Sequence, residues 1–519
     1  MMKKILAGLL TVCILLTLCP AALAAGTDET AAAVAGAQQY LLESVPRGTS
    51  GGAADHVVFT LVRSGAQLPA GYALQYLQSV AAELIENGSP AGRGRSGEFA
   101  RAALALRAMG KDPTSFCGQD LLTALSDFDA CTQTGLPGVL TALRTLDCSD
   151  YNIPQVADVT TQATRELYLS AILNDQLPDG GWALHGGKAD AATTAQVLQA
   201  LANYRSQSQV ANAVTLGVEC LSALQQDDGG FTAWSTPSSE PTAQVLLALC
   251  ALDIAVDDER FTKNGATALD KLLTYQDEGG GFLATLHPTV TATCQALQAL
   301  CAVQRAQNKE PDFFDLRDVA LTSVPALGSG VKAAQLQKSG AVFSDTESHE
   351  NRDAVSILGS YGIISGVGGG RFSPDSTMTR AQFAKIVACA LGLEAEYRGT
   401  FADVAESAWY APYVDTAAAY GIVRGVGDGK FNPDSSITRQ ESAVMLARAA
   451  ALCGFDTAVE DTSAVPDTVS DWAGSGVAFC LKNEIMTTAQ AQQSGVAVLR
   501  CEVAQMLCNL LMQTAILKF

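Results

Sequence analysis

The sequence predicts a mainly α-helical protein in two parts, each built from its own repeat. A glutamine–glycine–glycine–aromatic pattern recurs at shifts of 49 and 51 residues in the first part, and a longer glycine-rich pattern recurs after 58 residues beyond position 340. In both parts the stretches that follow are rich in Ala, Leu and Val with the 3.6-residue period of a helix that buries one face. At 519 residues the chain is too long for one ordinary domain, so two or more are expected.

Composition and charge exclude several classes of protein. Hydrophobic residues make up 48% of the chain and charged residues 17%, which suffices for large cores and excludes a disordered chain. The 33 basic and 53 acidic side chains give a net charge of -20. Such a chain repels phosphates at long range, so no nucleic-acid partner is expected.

The N-terminus has the pattern of a secretory signal peptide, assigned to residues 1–25. Lys3 and Lys4 precede an apolar run over 5–19, and the small-x-small sequence of 22–24 follows it. Cleavage is expected after residue 24 or 25. No later segment supplies the roughly 18 apolar residues of a membrane span, so a secreted chain without a transmembrane segment is predicted.

The cysteines raise two questions: whether Cys19 is a lipidation site, and whether the remaining cysteines form disulfides or stay free thiols. Cys19 suggests lipidation, but Leu18 precedes it where a small residue is needed and Pro20 follows it. Of 14 cysteines, Cys13 and Cys19 leave with the signal peptide. The twelve that remain are an even number, which would fit disulfides in a secreted chain. Five of them, Cys250, Cys294, Cys301, Cys389 and Cys508, lie in apolar helical patterns, and no CxxC pair occurs, which favours buried free thiols.

The repeat in the first part has three clear copies, and each predicts a helix, a glycine turn and a second helix. The glycine pair permits positive φ, and the aromatic residue after it is expected to fill the gap between neighbouring helices. A degraded earlier copy is expected around 99–106. The copies comprise Gln176 with Gly180-Gly181-Trp182, Gln225 with Gly229-Gly230-Phe231, and Gln276 with Gly280-Gly281-Phe282, and the threonines expected to cap the second helices are Thr194, Thr242 and Thr293.

These copies resemble the prenyltransferase and squalene-oxidase repeat, whose members form an α/α toroid of helical hairpins. The resemblance covers roughly 28–320 and is clearest over 165–305, so residues 26–320 are assigned to a toroid. It implies kinship with terpene cyclases, prenyltransferase β subunits, cobalamin carriers and thioester domains. Because these relatives differ in activity, the repeat indicates architecture and the chemistry needs a separate argument.

The complete motifs of the enzymes among these relatives are not found in the sequence. There is no Asp-x-Asp-Asp acid and no Cys-Gly-Glu-Gln thioester, and the nearest stretch to the latter begins at Cys117. An Asp-x-Cys spacing occurs at 129–131, but no zinc set of Asp-x-Cys with His is predicted. His185 and His287 follow repeat aromatics, but local or surface roles suit them better than a shared metal site. No catalytic residue, metal or cofactor is therefore predicted. A non-catalytic module with an unknown ligand is favoured, and an enzyme acting on a glycan or an isoprenoid is the alternative.

The second part contains a longer ordered pattern. Each copy opens on Phe-x-Asp, passes through a glycine-rich stretch ending in Pro-Asp, and reaches Thr-x-x-Gln or Thr-x-x-Glu, which is the spacing of a capping box at a helix start. A third copy keeps an opening and a helix start but lacks the glycine-rich loop. The three openings and helix starts lie at 343–345 and 379–382, at 401–403 and 438–441, and at 467–472 and 499–502.

This pattern resembles S-layer homology repeats. The resemblance implies a three-repeat helical trefoil that holds an exported protein to pyruvylated secondary cell-wall polysaccharide at a Gram-positive cell surface or S-layer. The stretch 321–342 is interpreted as a linker. The repeats are assigned to 343–400, 401–462 and 463–519.

The wall-polymer site is expected at the helix starts and in the glycine-rich loops. Arginine at a helix N-terminus adds a cationic fork to the helix dipole, and both favour an anionic sugar. The alternative is that these arginines pair inside the trefoil with Asp345, Asp403 and Asp467. Glu350 replaces a usual tryptophan, so the three grooves are expected to differ. The predicted site residues are Arg380, Arg439, Arg500, Asp345, Asp403, Trp409, Gly427 and Gly429.

Overall fold

A computed structural model describes residues 29–88, 90, 95–233, 236–337 and 340–518. The predicted signal peptide lies outside the described residues. Helices dominate, and none of them in the described part is long and apolar enough to cross a membrane. The α-helices are α1 (29–44), α2 (Ala53–Arg63), α3 (Tyr72–Asn87), α4 (Ser96–Ala108), α5 (Phe128–Thr132), α6 (Leu136–Asp147), α7 (Arg165–Asn174), α8 (Ala191–Leu201), α9 (Ser208–Leu224), α10 (Ser239–Ala251), α11 (Ala268–Leu273), α12 (Val290–Gln307), α13 (Arg352–Ser360), α14 (Arg380–Ala390), α15 (Ala411–Ala419), α16 (Arg439–Leu452), α17 (Gly474–Lys482), α18 (Thr488–Gln492) and α19 (Arg500–Leu511).

Short elements complete the secondary structure. Strands β1 and β2 pair antiparallel, and β3 pairs in parallel with β4 near the C-terminus, which ties the segment between the two halves to the end of the chain. The strands are β1 (Thr232–Ala233), β2 (Thr236–Pro237), β3 (Ala334–Gln335) and β4 (Leu517–Lys518), and the 3₁₀ turns are Leu121–Leu125, Ala202–Tyr204, Glu259–Phe261 and Asp471–Ala473.

The first half is the predicted α/α toroid. Among the described residues, helices α2, α4, α6, α8, α10 and α12 pack in succession, and α12 returns to α2, so the inner ring closes. Helices α7, α9 and α11 each pack against one helix of this ring. Closure buries the apolar face of every ring helix, and the inner ring forms one continuous hydrophobic core.

The repeat glutamines join each hairpin to the next one. In each copy the amide nitrogen donates to the carbonyl of the first glycine in its own turn and to a carbonyl of the next outer segment. For Gln276 the second acceptor is Ala33 O in α1, at 2.8 Å, so the last clear copy bonds back to the first helix. The aromatic residues Trp182, Phe231 and Phe282 are fully buried, as predicted.

The repeat threonines do not cap helices, so that prediction is wrong. Helices α8, α10 and α12 begin earlier, with Asp190, Ser238 and Thr289 as their N-caps. The repeat threonines lie one turn inside, where each hydroxyl accepts the backbone N–H of the buried aromatic residue. The distances are 2.9 Å for Thr194 and Trp182, 3.1 Å for Thr242 and Phe231, and 2.9 Å for Thr293 and Phe282.

The segment that follows α12 plugs one end of the ring. Phe313 and Phe314 pack against Phe59 of α2, at centroid distances of 5.7 and 5.6 Å. Arg63 donates to the carbonyl oxygens of Phe313 and Asp315 and so holds the plug in place. This end of the toroid is therefore filled by the chain itself.

The second half is a trefoil of three units, as predicted, with α13 and α14 in the first, α15 and α16 in the second, and α17 to α19 in the third. Capping boxes start α14 and α16, as the sequence indicates. The third unit has the short helix α18 in place of the glycine-rich turn. The hydrophobic core of the whole trefoil includes one face of the toroid helix α3, so the two halves share a buried contact.

The twelve cysteines of the described residues are all free thiols. Most are buried, and burial raises the pKa of the Cys294 and Cys453 thiols to about 12. These cysteines act as small apolar side chains, in agreement with the favoured prediction.

The close approach of turn and neighbouring helix at Gly280 yields a stability prediction. Gly280 has φ +83°, and an added Cβ would lie 2.3 Å from the carbonyl oxygen of Gly36. Gly265 has φ +85° with open space around it, which makes it a matched control. Gly265→Ala should cost about 1 kcal/mol from backbone strain alone. Gly280→Ala should cost at least about 2 kcal/mol more, from overpacking, in urea unfolding followed by circular dichroism. Equal losses would contradict this role for the contact.

Candidate functional site

The arginines at the helix starts lock the trefoil units together in a cycle. Arg380 of the first unit donates to the carbonyl of Phe431 in the second unit, at 3.0 Å, and its guanidinium lies 4.9 Å from that ring. Arg500 of the third unit donates likewise to Phe372 O in the first, at 2.9 Å. Arg439 of the second unit reaches Glu502 in the third, at 2.9 Å. The site arginines are therefore turned inward, and Arg380 and Arg439 are buried.

The carboxylate partners differ from those considered from the sequence. Arg380 pairs with Glu441 at 2.6 Å, and Arg439 pairs with Glu502. Glu441 is also the third residue of a capping box, and Glu502 accepts the backbone N–H of Leu499 at the start of α19, at 2.9 Å. Asp345 accepts the backbone N–H groups of Phe372 and Ser373, at 2.8 Å each. Asp403 does the same for Phe431 and Asn432. These aspartates hold the glycine-rich turns in shape.

The glycines singled out from the sequence lie at the exposed tip of such a turn. Gly427 and Gly429 have φ +111° and +68°, and nothing stands within 4 Å of an added Cβ at either position. The turn is closed by the N–H of Val426, which donates to Lys430 O at 2.8 Å. Positive φ is thus what this turn requires of both residues.

The first groove lies along α14. Trp409 is 55% exposed, and Lys385 Nζ lies 5.4 Å from its ring and 5.5 Å from that of Tyr413. Arg500 Nη2 donates to Ser365 O at 2.9 Å at the start of this groove. Within the described residues neither cation has a carboxylate partner. The Trp409 ring with the Lys385 ammonium beside it suits an anionic sugar.

The second groove lies along α16 and is a cavity of about 490 Å³ lined by Arg380, Arg424, Arg448, Glu441 and Trp472. Trp472 is 60% exposed and occupies the place that Trp409 has in the first groove. Burial, together with the neighbouring Arg424, lowers the pKa of Arg448. Adjacent guanidiniums of one charge favour a bound anion.

Sequence reasoning missed Lys385, Arg424 and Arg448, and it used Trp472 only to mark an opening. Arg424 and Arg448 stand where the first unit has Ser365 and Cys389. A search restricted to positions shared by the repeats cannot find them. A comparison of unshared positions on the same helix face could have found them.

The third groove lies along α19 and is covered by the toroid, forming a cavity of about 440 Å³. His349, Asp375 and Cys501 bring donor atoms within 4.8 Å of one another there. His349 Nδ1 already accepts the N–H of Asn351 at 3.1 Å, so in the neutral ring Nε2 carries the proton and faces Asp375 at 3.8 Å. This tautomer does not offer Nε2 as a metal ligand.

Polar side chains meet where α12 packs against α2. Gln298 of α12 lies 3.2 Å from His56 Nε2 and donates to Thr60 Oγ1 at 2.7 Å. Burial, with Arg144 and Arg101 near by, lowers the pKa of His56 to about 4. The imidazole is therefore neutral at physiological pH. His185 and His287 are exposed on loops and do not join it.

At the plugged end a cavity of about 80 Å³ is lined by Asp147, Asp312, Arg144 and Phe314. Burial raises the pKa of both carboxyls. Asp147 accepts from Tyr204 Oη and Arg165 Nε, and Asp312 accepts the N–H of Phe314. Ligand pockets usually measure about 300–1,000 Å³, so this one is too small for a sugar.

Comparison with known proteins supports the assignment of the trefoil. The S-layer homology domain family matches residues 342–384 and 400–443. The "Surface-layer 125 kDa protein" of Lysinibacillus sphaericus is 33% identical over 36% of this chain and 15% of that protein. "Exoglucanase XynX" of Acetivibrio thermocellus is 31% identical over 35% of this chain and 17% of that protein. The chain thus spans under a fifth of either relative.

A solved structure, an unsaturated glucuronyl hydrolase from Bacillus sp. GL1, resembles 56% of this chain and 99% of its own. Its sequence identity is 11% and its TM-score is 0.37. A likeness of this size carries no argument about activity. The closed ring of helices α2, α4, α6, α8, α10 and α12 shows the toroid fold directly.

The buried pair of Arg439 and Glu502 yields a second stability prediction. Arg439→Ala leaves a carboxylate buried without its cation and should lower the free energy of unfolding by about 3 kcal/mol. Arg439→Met combined with Glu502→Gln removes both charges, keeps an acceptor for the cap and should recover part of the loss. Urea unfolding of the three proteins checks this. If the double variant is less stable than Arg439→Ala, the loss does not come from an unpaired charge.

Proposed function

We propose that this chain is a cell-surface protein, associated with the S-layer, whose trefoil binds an anionic wall polysaccharide and whose toroid is displayed as a non-catalytic binding module. The observation that carries the proposal is an exposed tryptophan beside Lys385 in the first groove and beside Arg424 and Arg448 in the second. We further propose export through the signal peptide 1–25, pyruvylated polymer as the ligand, and prenyltransferase/squalene-oxidase kinship for the toroid.

The groove chemistry supports an acidic sugar over a neutral one. Trp409 and Trp472 offer ring faces for the apolar side of a sugar, while Lys385, Arg424 and Arg448 offer cations. A carboxylate on the sugar would meet a guanidinium in the second groove and an ammonium in the first. The chain as a whole carries a net charge of -20, so these clustered cations are local exceptions to its acidic composition.

The sedimentation of the chain with wall sacculi of Lysinibacillus sphaericus tests the proposal. The combined change Trp409→Ala and Trp472→Ala should weaken binding about tenfold or more, because each tryptophan is an exposed anchor in its groove. Tyr397→Ala, an exposed aromatic outside the groove positions, is the matched control and should bind normally. Substitutions serve better than truncation near residue 329, because truncation would uncover the face of α3 that the trefoil buries. Equal sedimentation of all three proteins would contradict groove binding.

A second candidate for the toroid is a glycan-acting enzyme. Asp147 and Asp312 favour it, because both line one cavity and both have raised pKa values, as general acids require. The hydrogen bonds that occupy both carboxylates and the small cavity support the binding module instead.

A reducing-sugar assay separates the two candidates for the toroid. The whole chain should release no sugar from wall polysaccharide over the blank, and Asp312→Asn should behave identically. If the unmodified chain releases sugar and Asp312→Asn does not, the toroid is an enzyme and not a binding module.

A further inference from the structure

We infer that the third groove of the trefoil is a dock for the toroid helix α3, which leaves two grooves for the polymer and fixes the orientation of the toroid on the wall. The count of two rests on the proposed function of the grooves, whereas the dock does not.

The sugar-facing ring is missing from the third groove. Glu350 stands where the first and second grooves have Trp409 and Trp472. Its carboxylate pairs at 2.9 Å with Arg47 of the toroid. Both side chains are largely exposed, so this pair adds little stability and mainly fixes orientation.

The cations of the first and second grooves are also missing. The α19 positions that face the third groove are Gln505 and Asn509. They correspond to Lys385 and Cys389 in α14, and to Val444 and Arg448 in α16. Neutral amides therefore replace the cation of each of the other helices. Amides pair well with other amides and poorly hold an anion.

Gln78 of α3 completes this amide pair. Its nitrogen donates to Asn509 Oδ1 at 2.7 Å, and its oxygen accepts from Gln505 Nε2 at 2.8 Å. Asn351 Nδ2 donates in turn to Gln505 Oε1 at 2.9 Å. Gln78 is 2% exposed. A buried polar network with its members satisfied specifies one arrangement of the two halves.

The remainder of the α3 face is apolar and continues the same stripe. Gln78, Ala81, Ala82 and Ile85 follow the i, i+3, i+4, i+7 spacing of one helix face. The two alanines and the isoleucine belong to the buried core of the trefoil. This face is therefore built to cover the trefoil, and its amide meets the third groove.

The charge of the third groove opposes an anionic glycan. Its lining carries four carboxylates and one guanidinium, whereas the second groove carries three guanidiniums and one carboxylate. Like charges at close range disfavour binding. The residues concerned are Glu350, Asp353, Asp375, Glu502 and Arg47.

Hydrogen exchange with mass spectrometry on the full chain tests the dock without a ligand. Gln78→Ala removes two of the hydrogen bonds of the Gln505 and Asn509 side chains and opens a gap between α3 and α19, so backbone amide exchange in α19 should be about tenfold faster. Asn87→Ala, an exposed amide at the C-terminal end of the same helix and outside the lining of the third groove, is the matched control and should leave α19 unchanged. Unchanged exchange in Gln78→Ala, or an equal change in Asn87→Ala, would overturn the dock.

Hydrogen exchange in the presence of a synthetic pyruvylated monosaccharide tests whether only the first and second grooves bind the polymer. The same sugar without its pyruvate ketal is the blank. Protection is expected at 365–367 with α14 and at 424–426 with α16, and none at α19. Comparable protection of α19 would overturn the count of two. Protection nowhere would overturn the count together with the proposed function, while the dock would still be decided by the Gln78→Ala comparison.

Discussion

The inward-turned arginine at the start of each trefoil helix is the contact on which the grooves depend. A guanidinium removed from water needs acceptors, and Arg380, Arg439 and Arg500 each find them in the next unit around the cycle. If one unit separated from the next, a buried guanidinium would lose its hydrogen-bond acceptors. The grooves exist only between neighbouring units, so the closed cycle is also what creates them.

The toroid is closed by the same principle with a neutral group. Each repeat glutamine satisfies a carbonyl of its own turn and one of the next segment, and Gln276 reaches back to α1. An open array of repeats would leave a terminal apolar face exposed and need a cap. Here the contact between the last and first helices leaves no exposed terminal face. The segment with Phe313 and Phe314 then fills one opening of the ring.

The two closed bodies meet through α3, which belongs to the toroid by sequence and contributes to the trefoil core by burial. A flexible linker would allow the displayed domain to reorient freely. The paired amides of Gln78, Gln505 and Asn509 favour one orientation instead. If the trefoil binds the wall through its first two grooves, the toroid is presented from a fixed side.

Features that depend only on neighbours along the chain could be predicted from the amino-acid sequence. The capping boxes at Thr379 and Thr438, the positive φ of the first repeat glycine and the burial of the repeat aromatics all follow from local pattern. The repeat threonines were misassigned because a hydroxyl one turn inside a helix and one at its start occur in similar local sequence. The partner of each polar group, by contrast, depends on how the helices pack. In the folded chain the arginines turn inward, Arg424 and Arg448 lie beside Trp472, and α3 covers the third groove. The reason is physical: those partners lie tens to hundreds of residues apart, and they meet only because both repeat arrays close on themselves.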